Sequence, residues 1–293
     1  MNKSKVYLTK KLTPEALVEM YKVVGKELTG KVAVKVHSGE KGNQNYLRPE
    51  FLKQLIEYVN GTVVECNTAY NGARNSTDKH IKLMEEHEWS KYFNVDILDS
   101  EGPDLEIAIP NGKVIDKNYV GKSIVNYDSM LVVSHFKGHP MGGYGGALKQ
   151  LSIGCASASG KAWIHSAGVT KEVSKVWKNA APQDKFLEAM AESASSVVEY
   201  FNGNIVYINI MCNMSVDCDC CAKAEDPCMK DIGILASTDP IAIDMVCIDL
   251  VKQSEDVGKE HLLERINSRH GTHTIDVADK LGFGTKEYDL IEL

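Results

Sequence analysis

Short valine-rich runs, separated by stretches of helical periodicity, constrain this chain more than any other feature. Lys31–Val36 (KVAVKV), Thr62–Cys66, Met130–Ser134 (MLVVS) and Asn204–Ile210 (NIVYINI) have the length and β-branched content of strands. Between the early ones lie helix signals. Thr13 precedes Pro14 at a natural first helical position, and Leu17, Met20, Tyr21, Val24 and Leu28 follow at helical spacing. Pro49 opens a second helix, which Gly61 stops. The spacing predicts further helices near Thr77–Glu88, Gln183–Phe201 and Pro240–Lys252, with two short ones after it. Further strands are expected at Lys5–Leu8, Val95–Leu98, Ile232–Ala236 and near Asp289–Leu293. Such alternation favours an α/β fold, a mostly parallel sheet with helices on both faces. The reading is one domain over residues 1–293; if there are two lobes, their boundary falls near 165–185.

Charge and hydropathy exclude several classes of function. The net charge of −7 leaves no broad basic surface for a phosphate backbone, so no nucleic-acid partner is expected. No apolar run reaches the ~18 residues that span a bilayer. The basic N-terminus lacks the apolar stretch of a signal peptide, which points to the cytoplasm. Nothing in the sequence sets the oligomeric state.

Five of the eight cysteines fall between Cys212 and Cys228, at Cys212, Cys218, Cys220, Cys221 and Cys228. A tight cluster in a long chain without a signal peptide is more often a metal site than a disulfide framework. Thiolates suit zinc, copper(I) or an iron–sulfur cluster. The segment follows a strand and contains Asp217, Asp219, Asp226 and Pro227, as a wrapping loop would. Its spacing is neither that of a bacterial ferredoxin nor that of a zinc ribbon. Packed thiols, or a redox pair at adjacent Cys220 and Cys221, are the alternatives.

A second signal is an absence of acid. Between Asp128 and Glu172 there is no carboxylate, while Lys137, Lys149, Lys161, Lys171, His135, His139 and His165 fall there. The stretch begins at the end of the MLVVS strand, where open α/β sheets place ligands. Gly142, Gly143, Gly145 and Gly146 would let backbone amides approach an anion, and a helix starting after Gly146 would add its own. The order of residues is not that of a Walker A loop. The glycines could instead serve turns. The candidate proton-transfer and charge-stabilising groups are His135, His139, His165 and Lys149.

Lys35, His37, Asn67 and Arg74 also sit at or just past strand ends. If those strands are parallel neighbours of MLVVS, these residues join Lys137 and the glycines in one polar, substrate-binding site. Lys35 alternates with apolar neighbours and could equally face solvent.

The pieces VAVKVHSGEKGNQNYLRPEF, CNTAYNGARN, SHFKGHPMGGYGGALKQLSIGCASASGKAWIHS, CDCC, DIGILASTDPIAID and YDLIEL together resemble the domain of unknown function 362 family, in its order. The resemblance implies an iron–sulfur protein, since many members carry a cysteine-rich ferredoxin-like insert after the HS of the central block. This chain has no cysteine in that stretch, Ala167 onward. The CDCC loop is then the remaining metal candidate. The order His, Gly-Tyr-Gly-Gly, Lys is also similar to the glycine-rich block of nickel-pincer lactate racemases, which handle small hydroxy acids; that similarity implies an anion-handling pocket.

The sequence supports three readings. The first is a metal-binding, redox-related protein of the oxidoreductase kind, holding an iron–sulfur cluster or zinc beside a basic pocket for a small anion, with an electron-transfer partner. The second is an isomerase or lyase acting on a small carboxylic acid, its cysteines structural. The third is a non-catalytic metal carrier.

Overall fold

The computed structural model describes residues 3–293. Strands β1 (Ser4–Thr9), β2 (Val32–Lys35), β3 (Gly61–Glu65) and β4 (Val95–Ile97) alternate with helices α1 (Pro14–Val23), α2 (Pro49–Tyr58), α3 (Thr77–Glu86) and α4 (Trp89–Tyr92). Next come β5 (Leu105–Ala108), β6 (Lys117–Val120), β7 (Ser129–His135), β8 (Lys137–His139) and β9 (Gly143–Gly145). Helices α5 (Ala147–Cys155), α6 (Ala158–His165) and α7 (Gln183–Tyr200) lead to β10 (Ile205–Met211) and β11 (Gly233–Ser237). The last elements are α8 (Pro240–Gln253), α9 (Lys259–Ser268), α10 (His273–Leu281) and β12 (Tyr288–Glu292).

One eight-stranded sheet, ordered β12-β1-β11-β10-β7-β2-β3-β4, carries the fold. β11 runs antiparallel to β1 and β10, and the other neighbours are parallel. Strands from both sides of the 165–185 stretch share this sheet. Its central strands are buried along their whole length, which is why they read as continuous apolar runs. Successive side chains still divide between the faces. Met130 and Val132 pack under α5, α7 and α8, whereas Leu131 and Val133 pack against α1 and α2.

Local chemistry sets the helix starts. The Thr13 hydroxyl accepts from the Ala16 amide ahead of α1, and the Asp239 carboxylate accepts from Ile241 and Ala242 ahead of α8. In the glycine-rich middle a helix does start after Gly146. The stretch holds the β8–β9 hairpin and helices α5 and α6. Helix α6 presses so closely on β6 that a Cβ at Gly160 would lie 1.9 Å from the Tyr119 carbonyl oxygen.

That contact fixes where α6 sits. Gly160→Ala should destabilise the protein by about 1–3 kcal/mol, because α6 must retreat from β6. Urea unfolding of the variant measures it, and an unchanged midpoint would mean that the contact is dispensable.

Candidate metal centre and basic cavity

Parallel pairing sends the chain out of β2, β3, β7 and β10 at one edge of the sheet. The loops after them carry, in turn, His37 and Glu40, then Cys66 to Arg74, then the β8–β9 hairpin, then the cysteine segment. The convergence expected of the first three loops is therefore present, and the cysteine loop joins them.

Amide side chains bind the cysteine loop to the β2 loop. The Asn43 Nδ2 donates to the Cys221 carbonyl at 2.8 Å, Gln44 to Ala224 and Asn45 to Glu225, both also at 2.8 Å. On the other side the hairpin closes in: the Gly138 amide donates to Ser215, and a Cβ at Gly138 would lie 2.3 Å from the Val216 oxygen. Asp219, between two cysteines in sequence, is the ionic anchor. Its buried carboxylate lies 2.9 Å from His135 Nδ1 and accepts from Lys137 Nζ at 2.7 Å. Burial alone would raise its pKa, but His135 and Lys137 outweigh that and hold it well below the usual range.

His139, Cys218 and Cys220 meet in this frame, with one ligand atom from each inside a 4.8 Å span. Cys220 Sγ lies 3.8 Å from His139 Nε2, and the Cys220 amide donates to Cys218 Sγ at 3.4 Å. The amides of Met141 and Gly142 donate to His139 Nδ1, at 3.1 and 2.8 Å, which turns Nε2 toward the sulfurs. Burial, then the Lys149 ammonium, pushes the His139 imidazole down to about 4. His37 interacts with Cys218 and is held down to about 4 by burial and Arg74. Two sulfurs and an imidazole form a donor set that could hold a metal ion.

The cluster opens onto a cavity of about 270 Å³ lined by Lys149, Lys161, His165, Met141, Ile153 and Trp177, among others. Its charges fall into two groups. Lys35, far from facing solvent, is fully buried and paired with Glu65 at 2.7 Å; Arg74 is buried against Glu65 and Glu40. Burial would raise Glu65, yet Lys35, His37 and Arg74 hold it well below the carboxylate range. By contrast, Lys149 and Lys161 pair with no carboxylate among the described residues. Lys161 donates only to the Ala156 carbonyl, at 2.6 Å. His165 is 8% exposed, stacks on Phe186 at 4.6 Å, and leaves its buried Nδ1 without a hydrogen-bond partner. Burial, with Lys149 and Lys161 nearby, pushes it down to about 3.

The remaining residues singled out in the sequence lie apart from the cavity. His135 is held on both sides, by Asp219 and by the Cys212 carbonyl at 2.6 Å, and Lys137 is engaged by Asp219. Asn67 bonds Thr77 and His80. The anion expected at the start of α5 is supplied by the protein itself: Asp244 accepts from Ala147 at 2.7 Å and Leu148 at 3.0 Å. A Cβ at Gly146 would come within 2.4 Å of that carboxylate, and one at Gly143 (φ +79°) within 2.8 Å of Gly271. Gly142 and Gly145 sit beside His139 and Lys137. These glycines admit protein groups where ligand was expected. Cys221 touches Cys220, but Cys221, Cys212 and Cys228 are outside the three-residue cluster. Cys212 packs beside α1 and α2, and Cys228 bonds the Met214 carbonyl.

Glu65, Asp219 and Lys161 are the residues that sequence reasoning did not place. Asp219 had a signal, an acid flanked by cysteines, and Lys161 lay in the acid-free stretch. Glu65 had none, because it ends an apolar strand.

An α/β protein with a thiol–imidazole cluster over a basic cavity is thus the class that fold and site define. A family model described as a domain of unknown function (DUF362) matches residues 32–249, and the chain belongs to that family. No curated protein matches it. Among solved structures, the lactate racemase apoprotein from Thermoanaerobacterium thermosaccharolyticum is similar at 14% identity and a TM-score of 0.44, over 70% of this chain and 50% of that one. A Thermotoga maritima protein is similar at 10% identity and a TM-score of 0.43, over 92% of this chain and 60% of that one. The chain therefore spans half to three-fifths of these structures. No described helix is long and apolar enough to cross a membrane.

The depressed histidines set an acid limit. His80 and His165 titrate near 3 when folded, against about 6.5 unfolded. Below about 6.5 the unfolded chain binds protons that the fold refuses, so stability is full above that pH and is lost as the pH falls toward 3. Urea midpoints should drop between about pH 7 and about pH 5, and His165→Phe should flatten the slope. Midpoints that ignore pH would contradict the burial of these imidazoles.

Proposed function

We propose that this chain is a metal-dependent enzyme that binds one ion at His139, Cys218 and Cys220 and a small anionic substrate in the adjoining cavity. One observation carries the reading: the thiol–imidazole cluster opens directly onto a cavity whose Lys149 and Lys161 have no carboxylate partner. A cavity that buries the Lys161 ammonium without a carboxylate partner, with half-buried Lys149 beside it, is poised to gain from a bound anion. Met141, Ile153 and Trp177 would contact an apolar body on the same molecule.

Zinc suits the donor set better than an iron–sulfur cluster. A cluster held by four thiolates does not fit, because two sulfurs meet His139 within the 4.8 Å span among the described residues. His37, which interacts with Cys218, is a candidate fourth ligand. In such an enzyme the ion would act as a Lewis acid, Lys149 would hold the anion, and His165, kept neutral by burial, would accept a proton. An electron-transfer partner is then not required. Asp219 acts through the cysteine loop and is a positioning residue.

A second reading rests on the two amides at His139 Nδ1. They keep the proton on Nε2, so that without an ion His139 donates toward Cys220. The protein would then be an isomerase or lyase whose cysteines serve structure, with the proton transfer left to His165.

Metal analysis of anaerobically purified protein separates the two. The metal-dependent reading expects about one ion per chain, lost in Cys220→Ser, and a 10–100-fold weaker affinity in Asp219→Asn. Protein that stays metal-free and indifferent to added zinc would overturn it in favour of the second.

A further inference from the structure

Helix α6 carries two groups that the metal reading leaves underused. Lys161 and His165 are four residues apart, so they share one face of the helix, one turn from each other. That face lines the cavity. Lys161 is 7% exposed, and its ammonium donates to one carbonyl, that of Ala156. Other buried lysines at this edge are neutralised: Lys35 by Glu65 and Lys137 by Asp219. Lys161 has no such partner. Asp99, whose charge acts on Lys161, is committed to the amides of Asn67 and Ala158. Burial lowers the pKa of Lys161, although Cys66, Asp99 and Glu65 act in the opposite direction. A desolvated lysine of this kind is the usual setting for an amine nucleophile. The unpartnered Nδ1 of His165 is a second, independent mark of a missing ligand on the same face.

We propose that Lys161 is an amine nucleophile that forms an imine with the carbonyl of a small 2-oxo acid, with Lys149 holding the acid's carboxylate and His165 moving protons. The proposal rests on the reading that this cavity takes small carboxylates, and it names their class. His165 first takes a proton from the Lys161 ammonium; the freed Nζ lone pair attacks the carbonyl carbon, and a C–N bond forms as the carbon–oxygen π bond breaks. Two of the three ammonium hydrogens leave with the carbonyl oxygen as water, carried from nitrogen to oxygen by His165, and the third stays on the protonated imine. No electrons are exchanged, and no further reactant is consumed. The imine withdraws electrons from the adjacent carbon, which eases loss of a proton or a carboxyl group there.

The test is reductive trapping on the full-length protein as purified, with pyruvate and 2-oxoisovalerate as probes and borohydride as reductant, followed by peptide mapping. Binding of both probes is measured in parallel by calorimetry. The expected result is one reduced adduct per chain on the peptide containing Lys161, absent from Lys161→Arg while the other lysines stay unlabelled. Lys161→Arg retains the charge, and mapping the wild-type adduct tests the site even if that variant fails to fold. Binding of the probes without an adduct at Lys161 would overturn the imine while leaving the anion cavity standing. Absence of binding altogether would overturn the cavity reading and the proposal with it. Labelling spread over surface lysines would also count against Lys161.

Discussion

The carboxylate of Asp219 is buried at the point where two loops from different strands must meet. A carboxylate in that setting is costly unless its charge is matched, and His135 and Lys137, at the end of β7 and the start of β8, match it. The pairing ties the cysteine loop after β10 to the hairpin after β7. With this tie in place Cys218 and Cys220, on either side of Asp219, come up against His139 at the end of β8. Removing one partner would leave a buried charge uncompensated, so the geometry of the cluster depends on all three groups. The amides of Asn43, Gln44 and Asn45 brace the same loop from the β2 side.

Around that anchor the buried charges divide their work. Lys35, Glu65, Arg74 and Glu40 are paired with one another, and the first three line one side of the cavity. Lys149 and Lys161, without a carboxylate partner among the described residues, and His165, with its Nδ1 unpartnered, line its space. Buried polar groups without partners are rare in folded proteins, and one of them beside a buried lysine that lacks a carboxylate, on a cavity next to a thiol–imidazole cluster, is better explained by a ligand than by packing. Depressed histidine pKa values follow from the same crowding of cations in a dry place.

Much of this was legible in the sequence. Strands buried on both faces show as valine-rich runs, and Thr13–Pro14 and Pro49 mark helix starts. Parallel order then implies which loops share an edge. The glycine-rich middle was harder to read. Glycine signals a close approach but not what approaches, and at Gly146 the visitor is Asp244, nearly a hundred residues away in sequence. Lys35 alternates with apolar residues as an exposed strand residue would, and only its pairing with Glu65 on the neighbouring strand explains its burial. Likewise, five clustered cysteines gave no hint that two would meet His139 while Cys212 and Cys228 pack elsewhere. Such outcomes depend on contacts between distant segments, which local pattern does not encode.

The central claim is that the metal-capable cluster and the basic cavity are one site. Cobalt(II) makes this directly visible, because its absorption reports both thiolate ligation and changes in the coordination sphere. Titration of the metal-free protein with cobalt should produce thiolate charge-transfer bands of a two-sulfur site, and pyruvate added afterwards should shift the ligand-field bands in the wild type but not in Lys149→Met. A cobalt spectrum without thiolate bands, or one that pyruvate leaves untouched although calorimetry shows it bound, would contradict the account.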